Sequence, residues 1–114
     1  MGQNRNKLIE LFISNVSNVV IHRILEKAVF GLNKNELGEK YRKELVNSFE
    51  IARRYREKIN PVGNILPDKF YVRDKVIRKV RAELGLRISR GYEGIDLDLV
   101  DGEVELVLGE MGVI

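Results

Sequence analysis

Residues 7–30 carry apolar side chains around almost the whole circumference of a helix, and that stretch constrains the fold more than any other part of the chain. Leu8, Phe12, Val16, Val19, Val20 and Ile24 recur at helical spacing. Ile9, Ile13, Ile21, Leu25 and Ala28 widen that stripe towards every side. A helix apolar on all sides belongs in the middle of a bundle or in a subunit interface. Three short partner helices are expected to leave some of it uncovered, so a homodimer is expected. Gly31 follows as the stop.

The remaining pattern supplies the partners. Residues 34–59 read as a second helix with a stripe of Leu37, Tyr41, Leu45, Phe49, Ala52, Tyr55 or Arg56, and Ile59. Asn60–Pro61 ends it, because a residue before proline is pushed out of helical geometry. Residues 60–67 form a loop. A third helix starts near Pro67–Asp68, or at Asp74 as a cap, with Val76, Ile77, Val80 and Leu84 on one face. Gly85–Leu86 reads as its stop, the glycine left-handed and the leucine folded back, although the pattern also continues to Arg90.

Two readings compete over the last twenty residues. The alternation of Ile95–Leu99, Asp101–Gly102 and Glu103–Leu106 suggests a β-hairpin. Leu97, Val100, Val104, Val107, Leu108 and Met111 instead share one helical face, and Met111-Gly112-Val113 reads as a helix stop. An isolated hairpin has nothing to pair with here. The expected architecture is therefore a single all-α domain spanning 1–114, a bundle of about four helices around a buried first helix. The C-terminal segment is taken as helical, with the hairpin as the alternative.

Composition removes several chemistries. Without cysteine there are no disulfides, thiolate nucleophiles or cysteine-ligated metals. A single histidine cannot build a multi-histidine metal site. No phosphate-loop pattern joins Gly85, Gly91 and Gly94. No cofactor and no metal are expected. The polar start Met1–Asn4 lacks the apolar core of a secretory signal, and Glu10, Ser14, Asn15, Ser17 and Asn18 interrupt the apolar run behind it. A cytoplasmic protein with no membrane partner is expected. The high charge and the absence of Thr and Trp lean towards a thermophilic source, although nine asparagines lean the other way.

Charge is sharply segregated. Residues 1–90 hold all 20 Lys and Arg against 10 acids, and residues 91–114 hold seven acids and no base, so a net of +3 conceals a +10 body and a −7 end. The bases gather at Arg53, Arg54 and Arg56 and at Lys75, Arg78 and Lys79. Like charges at helical spacing repel and call for compensation. The acidic end of the same or a partner chain supplies it in one reading. Nucleic acid supplies it in the other, with Tyr55, Tyr71 and Tyr92 placed to stack on unpaired bases and the acidic end shielding the face until displaced. Val80–Arg90 also has a faint helix-turn-helix pattern around Gly85.

Two further groups carry chemistry. Asn15, Asn18, His22 and Glu26 line one stripe of the first helix. Glu26 would orient His22 as a base, or the stripe forms a hydrogen-bonded network in a bundle. Asp96 and Asp98 would share a strand face and hold magnesium, but the calcium-loop pattern around Asp101–Gly102 is one residue out of register. Self-association as a structural or interaction module is the first functional expectation. Nucleic-acid binding by the six bases is the second, and an enzyme using His22 or Asp96 and Asp98 the third.

Overall fold

The computed structural model describes residues 5–32, 35–59 and 68–114, and the expected loop at 60–67 lies outside them. The described chain forms α1 (Arg5–Gly31), α2 (Asn35–Ile59), α3 (Lys69–Ser89) and α4 (Val100–Glu110), with a short 3-10 turn at Leu97–Leu99 leading into α4. It is an all-α four-helix bundle. No strand occurs among the described residues, so the hairpin alternative falls.

The first helix is the centre. Fourteen of its 27 residues are buried, among them Phe12, Val16, Val20, Ile24 and Leu25. By length and mean hydropathy alone α1 would pass for a membrane-crossing helix, but most of that apolar window is buried inside the fold. α2 covers one side of it, and α3 and α4 cover the rest. All three covering helices belong to the same chain.

Cross-helix pairs give the directions. Glu26 meets Arg42 and His22 meets Glu44, so α2 runs antiparallel to α1. Arg5 meets Asp68 at one end and Asn18 shares a cleft with Lys79 further along, so α3 runs parallel to α1. Arg73–Glu105 and Arg81–Asp101 set α4 antiparallel to α3. Both outer helices present an i, i+4 stripe to the core. On α3 it is Val72, Val76, Val80 and Leu84, and on α4 Val100, Val104, Val107 and Leu108.

α3 takes one of the two starts and one of the two ends its sequence offers. Asp68 stands at its start and Asp74 lies inside the helix, which runs on through Gly85 to Ser89 and leaves Leu86 45% exposed. The stop is Gly91, at φ +97°, where a side chain would be strained. Tyr92 N–H donates to the Arg87 carbonyl and Gly91 N–H to the Ile88 carbonyl, the Schellman pattern that satisfies the last turn. The uninterrupted helix removes the helix-turn-helix pattern. α4 closes the same way as α3, with Val113 N–H on the Leu108 carbonyl and Val113 buried.

These placements separate two neighbouring leucines. Leu84→Ala should cost about 2–5 kcal/mol by opening a core cavity, whereas Leu86→Ala should stay within about 0.5 kcal/mol as a surface change. Urea denaturation of the two variants checks this.

Candidate nucleic-acid interface

The acidic C-terminal segment lies against the basic body, and its ion pairs are selective. Glu103 is buried on the inner side of α4, hydrogen-bonded by Arg23 Nε at 2.7 Å and by Lys27 Nζ, both from α1. Burial opposes its charge, but the hydrogen bonds and positive charges of Lys27 and Arg23 win and hold the carboxyl below the usual carboxylate range. Glu105 accepts from Arg73 at 3.1 Å, and Asp101 from Arg81 at 3.0 Å. The sequence pattern did not single out Arg23 or Lys27. They become visible as partners only when α4 is laid against α1.

The six bases selected from sequence fare differently. Arg53 is shared loosely between Glu50 and Glu57 of its own helix, at 3.9 and 4.0 Å. Arg54 is exposed. Arg56 is half-buried, its Nε sealed from solvent without a hydrogen-bond partner among the described residues. On α3, Lys75 stands 5.8 Å from the centre of the Tyr71 ring. Lys75, Arg78 and Lys79 are exposed, and none pairs with a carboxylate among the described residues. The two basic groups are not one face, because α2 and α3 each pack on α1 rather than on one another.

The α3 lysines border the seam between α1 and α3. One cleft of about 310 Å³ lies between Glu10, Ile13, Tyr71, Lys75 and Lys79. Lys79 also borders the next, of about 260 Å³, which holds Ser14, Asn18, His22 and Arg87. Tyr71 extends the seam to a third cleft beside Arg5 and Asn6, of about 300 Å³. From Tyr71 to Arg87 the seam follows α3 for about 24 Å at the helical rise.

The polar stripe of α1 is structural in its main contacts. Asn15 Nδ2 donates to its own helix at the Leu11 carbonyl, 2.8 Å away. His22 Nδ1 sits 2.7 Å from the Asn18 carbonyl, and its Nε2 lies 2.6 Å from Glu44 on α2. Glu26 is held by Arg42 Nε and Nη2 at 3.1 and 2.9 Å. The expected pair of His22 with Glu26 is therefore not formed. Glu44 takes the place of Glu26 as the acid beside the imidazole, and both ring nitrogens have a partner. Helical spacing could not show this, since the true partners sit on another helix.

The two C-terminal aspartates do not share a site. Asp96 turns its carboxylate onto the Asp98 backbone N–H at 2.9 Å and so caps the 3-10 turn. On a turn rather than a strand the two acids lose their common face, and no metal-holding group of acids or histidine occurs among the described residues.

The chain matches no protein-family model, and no curated protein or solved structure matches it either.

Glu103 gives a pH prediction. Its depressed carboxyl contributes stability that is full above the unfolded value, about 4.3, and disappears as pH falls through the lower folded value. Glu103→Gln should be less stable than the natural chain at pH 7, and the gap should close below about pH 4. Chemical denaturation across about pH 3–7 measures it.

Proposed function

We propose that the protein binds single-stranded nucleic acid along the seam between α1 and α3, using Lys75, Arg78 and Lys79. The observation that carries this reading is the selectivity of the acidic segment. Its carboxylates neutralise Arg23, Lys27, Arg73 and Arg81 and leave the three α3 bases without a carboxylate partner. A row of like charges on one helix is unfavourable alone and favourable against phosphates, which shed counterions when bound.

Aromatic side chains support a single strand over a duplex. Tyr71 is 49% exposed at one end of the row and Tyr92 44% exposed beyond the other. Each ring has a cation beside it, Lys75 for Tyr71 and Arg87 for Tyr92. Bases stack on such rings only when unpaired. Arg53, Arg54 and Arg56 stand outside this face. The acids of α4 act here as an internal counterweight to other bases, not as a shield over the binding row.

The test is fluorescence anisotropy with a short single-stranded oligonucleotide over a series of salt concentrations. Binding should weaken steeply with salt. Lys75→Glu with Lys79→Glu should lower the slope of log K against log salt by about 1.4, two contacts at about 0.7 each. Arg53→Glu with Arg54→Glu should change it less. Binding insensitive to salt, or lost equally in both variants, contradicts the assignment.

A further inference from the structure

The largest of the described clefts lies at the far end of the α1–α3 seam, where the last turn of α1, the first turns of α2 and the turn after α3 converge. Its volume is about 490 Å³, within the range of ligand sites. Its floor is apolar, from Leu25, Ala28, Val29 and Leu37. Its edge is polar, with Lys40 and Arg90 on the basic side and Glu93 on the acidic side. None of these three side chains has an ion-pair partner among the described residues.

Three features make it a formed site. The Tyr92 ring lines the cleft, and Arg87 stands 5.5 Å from the ring centre, so one side of the ring is backed by a cation. Arg87 is itself tied to Glu83 at 3.2 Å. Gly94, at φ +80°, brings the turn so close to α1 that a Cβ there would sit 3.2 Å from the Ala28 carbonyl oxygen. This close approach fixes the wall. Tyr41 also lines the cleft at 7% exposure, and its hydroxyl has no hydrogen-bond partner among the described residues. Burial, with Tyr92 beside it, pushes the Tyr41 phenol above its usual range, so it stays a proton donor.

An apolar floor, a backed aromatic ring, a free hydroxyl donor, a free carboxylate and two free cations suit one ligand class. We propose that this cleft holds a single unstacked nucleotide, its base against Tyr92 and its phosphate between Lys40 and Arg90. Glu93 accepts from a base amine or a sugar hydroxyl, and Tyr41 donates to a base acceptor. This rests on the strand-binding reading only for the source of the nucleotide, which would be the strand leaving the α3 row.

Isothermal titration calorimetry with adenosine monophosphate tests it, with inorganic phosphate as the control. Saturable one-to-one binding is expected, much tighter than for phosphate. Tyr92→Ala should weaken it by about tenfold, the weight of one lost base stack. Arg90→Gln should also weaken it, and the Lys75→Glu, Lys79→Glu variant should leave it unchanged. Circular dichroism confirms that each variant is folded. Adenosine monophosphate binding no tighter than phosphate, or equal binding by the natural chain and both cleft variants, overturns the proposal. If oligonucleotides bind and the mononucleotide does not, the cleft assignment falls while the strand reading stands. If the mononucleotide binds and oligonucleotides do not, the cleft stands as a free-nucleotide site and the strand reading falls.

Discussion

The structure depends on covering one helix. α1 is apolar on nearly every side, and water must be excluded from all of them at once. A single partner helix covers one stripe, so three are required, and the chain supplies them in an order that short connections allow. α2 folds straight back along α1, while α3 and α4 form an antiparallel pair that closes the opposite side. The mostly valine stripes of α3 and α4 that make that closure are fully buried.

Electrostatics follow from that packing. Laying α4 on α1 brings Glu103 inward, and a buried carboxylate without partners would be costly. Arg23 and Lys27 answer it from the neighbouring helix, and losing both would leave the charge uncompensated. The same packing fixes which bases the acidic segment reaches. It reaches the two on α1 and the two on the side of α3 that faces α4. Those on the other side of α3 stay free because the helix turns them away. The free row is thus a consequence of how the core is closed, and its alignment with the α1–α3 seam makes it a candidate surface for an extended polyanion.

Much of this was legible in the residues. The breadth of the apolar surface in residues 7–30 marks a central helix. The i, i+4 face from Val100 to Met111 outweighs the alternation around Asp101–Gly102, because a hairpin had no sheet to join. Lys75 and Lys79, one turn apart, had to share a side of α3. What stayed hidden depends on distant contacts. Gly85 and Gly91 look alike locally, and only the return bonds from Tyr92 and Gly91 show which one ends the helix. His22 and Glu26 seemed paired by spacing, but Glu44 and Arg42 claim them across the helix interface. How far three short helices reach around a fourth was likewise hidden, since it is a matter of tertiary geometry. The nucleotide-sized cleft had one local signal, Gly91 and Gly94 flanking Tyr92, and it needed the approach to Ala28 to be recognised.

Native-state hydrogen exchange, run at two protein concentrations well apart, tests the central claim most directly. If one chain alone encloses α1, the amides from Ile9 to Val29 should be the slowest in the molecule, with rates independent of concentration. Rapid exchange along α1, or protection that grows as the protein is concentrated, would contradict it by showing that the cover is absent or comes from another copy.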